Sequence, residues 1–287
     1  MRKMAVLPSL FTLGNGACGF SAIVKVSAYL MSNDENCLVT AAWLILAAML
    51  FDAFDGGLAR LTRASSDFGA QLDSLSDAIS FGVAPAVTVV VWNSKFLATG
   101  KTEMFWAQVA WFFSLLYVMG AILRLARFNV ENKPDVEHHM RFKGLPSPGA
   151  GGLVASLVIL HGFLSNPQKS DFSQYLRNAL GESVVNSVTS GIRNGLPLLM
   201  IILAFLMVSS RIHYAHLLNR FLRGKRTFDY LAYLVFVGSL AALVCEVALA
   251  VGFVVYVAYG PVIYLVDLVK GRKAEAGEPS LGEQGKK

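Results

Sequence analysis

The sequence predicts an all-α fold, a polytopic membrane bundle of about eight transmembrane helices, and three observations carry that expectation. Of the 287 residues, 55% are hydrophobic and only 15% charged, with a mean hydropathy of +0.53, too apolar for an ordinary soluble domain. Apolar runs of bilayer length recur along the chain. The stretch 227–268 alone would reach about 60 Å as a helix, twice the hydrocarbon thickness, so it must fold back on itself. Finally, Lys and Arg collect in alternate loops: Arg2 and Lys3; Arg60 and Arg63; Arg124, Arg127, Lys133, Arg141 and Lys143; residues 211–226; and Lys270 to Lys273. The intervening loops carry only Lys95, Lys101, Lys169, Arg177 and Arg193. This positive-inside asymmetry accounts for the net charge of +6 without a nucleic-acid partner, and it places both termini on the cytoplasmic face of a cell (inner) membrane.

The first span follows a short basic lead. Pro8 suits its first turn, and Gly14, Gly16 and Gly19 give it a small-residue face for close packing. An outer turn at Asn33–Asn36 leads to the second span, Cys37 to about Arg63, and the third runs from Asp67 to about Trp92. Pro85 lies in mid-span, so a kink is expected there, with a neighbouring helix satisfying the carbonyl that Pro85 frees. The fourth span, Met104 to about Leu125, ends in RLARFN, which sets Arg124 and Arg127 three apart at its inner end with Asn129 just beyond. His138 and His139 follow in a polar loop with no second ligand cluster nearby, so they read as solvated.

The fifth span, Leu153 to about Leu164, follows GLPSPGAGG. Next comes an outer segment, 165–195, in which Phe172, Leu176, Leu180, Val184 and Val188 recur every fourth residue. That pattern predicts one or two helices lying on the membrane surface, with a break at Gly181. The sixth span covers Leu196 to about Ser210, and the last two turn near Cys245 and Glu246. Residues 1–269 thus read as a single transmembrane domain and 270–287 as a disordered charged tail. The three cysteines show no metal spacing and read as packing residues; nothing demands a bridge between Cys37 and Cys245.

The chemistry concentrates in residues 52–77, DAFDGGLARLTRASSDFGAQLDSLSD. Residues three and four apart share a helix face, so Asp52, Asp55, Gly56, Ala59 and Arg60 form one stripe, and Gly69, Asp73 and Asp77 another. The small and polar residues from Thr62 to Asp67 make a tight reversal, which lets the stripes face each other across an antiparallel pair. Four converging carboxylates repel unless a cation sits among them, and an all-oxygen set favours a hard divalent ion, Mg²⁺ or Mn²⁺. Four Asp suit two such ions with bridging carboxylates. Gly56, Ala59 and Gly69 leave room for a ligand against helix backbone, and Arg60 offers a fork to phosphate oxygens. If the second span ends near Thr62, Asp52 lies about 15 Å inside that end, a costly depth for an acid without a role.

The string Asp52-x2-Asp55-Gly56-x2-Ala59-Arg60-x8-Gly69-x3-Asp73-x3-Asp77 resembles the full signature of the CDP-alcohol phosphotransferases. The resemblance implies a membrane enzyme that moves a phosphatidyl-type group from a CDP-linked lipid to an alcohol and releases CMP. It further implies that the four aspartates hold two divalent ions against the diphosphate, that Asp77 is also the general base, and that Asp52, Gly56, Ala59, Arg60 and Gly69 line the nucleotide site. Three other strings, SDAISFGVAPA, RLARFN and GLPSPGA, together with the start PSLFTLGNGACGF, resemble the serine-accepting branch, the membrane-embedded phosphatidylserine synthases. Ala78 stands where the glycerophosphate branch would carry Lys.

On that resemblance the substrates are CDP-diacylglycerol, or an ether-lipid equivalent, and L-serine. The active site is at the cytoplasmic end of spans two and three, and Arg124, Arg127 and Asn129 are acceptor- or phosphate-binding candidates. Inositol phosphate, glycerol phosphate or choline remain alternative acceptors, and a second copy of the chain remains an open partner. A reading of another class, an ion or metal transporter, follows from intramembrane carboxylates alone. Clustering at one end of the spans, with Arg60 and small residues beside the acids, favours catalysis, because transport sites sit near the midplane.

Overall fold

The computed structural model describes residues 6–62, 67–94, 101–131, 142–166, 171–210, 212–214 and 245–269. In chain order the elements are α1 (Val6–Ser32), α2 (Asn36–Thr62), α3 (Asp67–Asp77), a π-helical segment (Ala78–Val83), α4 (Ala84–Ser94), α5 (Lys101–Glu131), β1 (Phe142–Lys143), α6 (Ser147–Ser165), α7 (Asp171–Leu180), α8 (Glu182–Val208), β2 (His213–Tyr214) and α9 (Cys245–Val269). The fold is an all-α bundle. Among the described residues its strands are one antiparallel pair, Phe142 opposite Tyr214 and Lys143 opposite His213.

Six helices are long and apolar enough to cross a membrane among the described residues: Asn36–Asp55, Phe68–Ser94, Met104–Val130, Ser147–Ser165, Glu182–Val208 and Cys245–Val266. The chain is therefore a multi-pass membrane protein. The 27-residue α1, expected as the first span, packs along α2 but is not among these six. The expected seventh span, the basic loop 215–226, His138, His139 and the tail 270–287 lie outside the described residues.

Packing is organised around α6, whose residues are buried almost without interruption from Gly149 to Ser156. It contacts α2, α8 and α9, while α1 runs along α2 and α5 along α8. Phe81, Trp92, Tyr117, Leu145, Ile159 and Met200 are among the side chains completely enclosed in this core. The outward side of α5 presents Trp111, Phe112, Leu115, Met119 and Ile122, as a lipid-facing helix requires. The α1–α2 turn is set by Asn33, at φ 58°, and by Asp34, whose Oδ1 accepts from the Asn36 N–H at 3.0 Å to cap α2.

The expected disturbance at Pro85 is present and takes a definite form. The third span changes from α to π geometry over Ala78–Val83 and returns to α at Ala84. Pro85 offers no N–H to the Phe81 carbonyl four residues earlier. Tyr117 of α5 supplies the missing donor, its hydroxyl bonding to that carbonyl at 2.7 Å.

Two boundaries differ from the sequence expectation. Helix α5 continues to Glu131, so Asn129 belongs to its last turns rather than to the loop. Residues 182–195 do not form a separate surface helix: the break falls at Gly181, with φ 84°, but α8 then runs unbroken through Pro197 to Val208. Its 27 residues measure about 40 Å, longer than the hydrocarbon thickness. The polar residues near its start are therefore the first turns of a spanning helix, and only α7 matches the predicted amphipathic surface piece.

Candidate active site

The first stripe is carried by α2 and the second by α3, whose eleven residues end at Asp77, where the π segment begins. Asp52, Asp73 and Asp77 each offer a carboxylate oxygen, and the three oxygens lie within 4.8 Å of one another. Asp77 is buried, at 7% exposure, and Asp52 and Asp73 are half-buried. Asp55 is also buried and its charge reaches Asp52 and Asp73, but it stands outside the group of three. Instead its Oδ2 accepts a hydrogen bond from the hydroxyl of Thr12 on α1. Gly69 lies on α3 one turn before Asp73. Gly56, Ala59 and Arg60 continue α2 through its last turns, and their side chains lie outside what the structure describes.

Helix α1 is the third wall, and the sequence alone assigned it no part in the site. Asn15 is completely buried, and its Nδ2 donates to Asp77 Oδ1 at 2.9 Å. Its backbone carbonyl accepts from Ser80 Oγ, in the π segment, at 2.9 Å. Glycine makes this approach feasible. A Cβ on Gly16 would stand 3.2 Å from Ser76 Oγ, and one on Gly19 would overlap Ser80 outright. The small-residue face read from the sequence thus lets α1 reach the acids.

Arg124 of α5 donates from Nη1 to the buried hydroxyl of Ser147 at 2.6 Å. Its guanidinium is close enough to interact electrostatically with Asp77 and Asp52, and with Tyr256 of α9. Gly144, at φ 86°, turns the chain into α6 and so sets Ser147 in place, its N–H bonded to the Ile212 carbonyl at 2.9 Å. Arg127 and Asn129, the other two acceptor candidates, are engaged elsewhere. Arg127 Nη1 donates to the Val208 carbonyl at 3.1 Å, and Asn129 Oδ1 accepts from Ser74 Oγ at 3.0 Å. Ser147 and Tyr256, like Thr12 and Asn15, were not singled out as site residues in the sequence. The signal that could have found Thr12, Asn15 and Ser147 is their place inside the strings PSLFTLGNGACGF and GLPSPGA.

The donor set fits a divalent cation. Its ligands are oxygens only, and the carboxylates crowd at distances that repel unless a positive charge intervenes. Fold and site together define a polytopic membrane protein with a buried carboxylate centre, walled by three spans and flanked by one guanidinium. The model of the CDP-alcohol phosphatidyltransferase family matches residues 5–185, more than half of the chain and all three walls, and the chain belongs to that family.

Three curated relatives from different organisms share one printed name, CDP-diacylglycerol–serine O-phosphatidyltransferase. The protein of that name from Helicobacter pylori (strain ATCC 700392 / 26695) is 32% identical over 160 residues, covering 56% of this chain and 60% of the relative. The one from Saccharomyces cerevisiae is 35% identical over 163 residues, covering 55% of each. The one from Methanocaldococcus jannaschii is 33% identical over 167 residues, covering 58% of this chain and 67% of the relative. The chain therefore matches a little over half of the yeast relative's length and about two thirds of the archaeal one's.

Proposed function

We propose that this protein transfers a phosphatidyl group from CDP-diacylglycerol to the hydroxyl of L-serine, giving phosphatidylserine and CMP. The observation that carries the reading is the Asp52–Asp73–Asp77 centre in a chain of this family whose relatives from Helicobacter pylori, Saccharomyces cerevisiae and Methanocaldococcus jannaschii bear the serine-transferase name. Asp77 takes the proton from the serine hydroxyl, whose oxygen bonds to the β-phosphorus as the bond to the CMP oxygen breaks. Asp52, Asp55, Asp73 and Asp77 would hold two divalent ions, Mg²⁺ or Mn²⁺, which when bound neutralise the diphosphate and the departing CMP. Asp52, Gly56, Ala59, Arg60 and Gly69 line the nucleotide, where Arg60 forks onto phosphate oxygens. Arg124 receives the serine carboxylate or the transferred phosphate.

The positive-inside pattern supports a site at the cytoplasmic face of a cell membrane. Membership of a transferase family weighs against the transporter reading.

Purified protein given CDP-diacylglycerol, serine and Mg²⁺ or Mn²⁺ should release CMP and form an aminolipid, and a chelator should stop both. CMP release with inositol phosphate, glycerol phosphate or choline but not with serine would keep the chemistry and change the acceptor. No CMP release with any alcohol would overturn the reading.

A further inference from the structure

Two buried polar atoms beside Asp77 lack partners among the described residues, and they are of opposite kinds. Asn15 Oδ1 accepts no hydrogen bond and Arg124 Nε donates none. The orientation of the Asn15 amide follows from its neighbour. A carboxylate can only accept, so the NH2 must face Asp77 Oδ1 and the amide oxygen must face away from it. The bond to Asp77 holds the amide in this orientation, and the side chain is buried. A buried acceptor held in this way is costly unless a ligand brings the donor. Arg124, whose charge reaches Asp77, is tied through Nη1 to Ser147 and keeps Nε for an acceptor.

We infer that Asn15 is a specificity-determining residue whose Oδ1 accepts a hydrogen bond from the α-ammonium of an amino-acid acceptor. The carboxylate of the same molecule is then taken by Arg124. A zwitterion supplies one donor group and one acceptor group, which are the two kinds of partner that these atoms lack. A sugar phosphate brings no ammonium, and choline has no N–H to donate. While its oxygen reads the substrate, the Asn15 NH2 holds one oxygen of Asp77 and leaves the other for the hydroxyl proton. This inference deepens the proposed function and rests on its serine reading.

The test compares serine with 3-hydroxypropionate, which keeps the hydroxyl and carboxylate but lacks the ammonium. In the parent protein, kcat/KM for 3-hydroxypropionate should fall about 100-fold or more below that for serine, as expected where a site built for an N–H meets an analogue without one. In Asn15→Ala that ratio should collapse to within about tenfold, chiefly through a raised serine KM, because the discriminating contact is gone. CDP-lipid binding should survive, and the Mg²⁺ concentration for half-maximal binding of CDP-lipid should not move.

Equal use of the two acceptors by the parent overturns the inference, as does an unchanged ratio in an Asn15→Ala protein that still binds CDP-lipid. A shift in Mg²⁺ dependence as large as that of Asp52→Asn overturns it too, by making Asn15 a metal ligand. If Asn15→Ala binds no CDP-lipid, Asn15→Ser and the parent's own acceptor ratio decide. CMP release without any use of serine sinks the functional reading and this inference together, whereas serine use with an undisturbed ratio sinks the inference alone.

Discussion

Asp77 and Asp52 lie in one carboxylate group, yet their surroundings differ. Asp77 is buried with Asn15 on one oxygen, whereas Asp52 feels Asp55 and sits half-buried on α2, and the charge of Arg124 reaches both. Asp77→Asn should lower turnover by about 10² to 10⁴, the usual contribution of a general base, while CDP-lipid binding survives in part. Asp52→Asn should weaken metal dependence and CDP-lipid binding together. Parallel measurement of CMP release and CDP-lipid binding checks both. Turnover of Asp77→Asn within tenfold of the parent excludes the base, and equal loss of binding in the two variants makes Asp77 a plain metal ligand. The acids were legible in the sequence because helical spacing alone puts Asp73 and Asp77 on one face. Thr12 and Asn15 were not, since their partners lie 43 and 62 residues away and neither side chain is charged.

The third span shows how an element can be read correctly in outline and missed in detail. Pro85 announced a disturbance and a freed carbonyl, but nothing local to it named Tyr117, 36 residues from Phe81, as the donor. Because the Phe81 residue is fully enclosed, Tyr117→Phe should leave that carbonyl unpaired and destabilise the protein by about 1–3 kcal/mol. A lowered thermal midpoint in detergent would show it; an unchanged midpoint would mean that another donor takes over. The extent of α8 escaped for a different reason. Its outer turns carry the polar and amphipathic pattern of a surface helix, and Pro197 resembles a start signal, yet its position inside one long helix costs only a single hydrogen bond. Periodicity records which faces are apolar. It does not record where the bilayer boundary crosses a helix.

At the scale of the whole molecule, charge in the loops predicts an orientation and the helices give the path. In a variant lacking Cys18, Cys37 and Cys245, a cysteine at Ser66 should be labelled only from the cytoplasmic side and one at Ser170 only from outside. The reverse pattern would put the carboxylates on the wrong face for the proposed substrates. The architecture also explains why so few residues specify the site. Three helices meet at the acids because α1 carries glycines where they face α3 and the π segment, and because α6 is small and buried enough to let its neighbours converge. The wide turns after Asp77 have a consequence for how this span tolerates change in length. Each residue added to an ordinary α-helix rotates everything beyond it by about 100°, but a segment with i to i+5 bonding absorbs one extra residue without passing the rotation on. The acids before it and the core face after it thus stay in phase although the count between them is one too many for straight α. Deleting Ile79, which is 39% exposed, should let the span rewind to α with Asp73 and Asp77 still aimed at Asp52, and the purified variant should still bind CDP-lipid. Inserting one residue there leaves no such slack, so binding should be lost as the two carboxylates swing around the helix together.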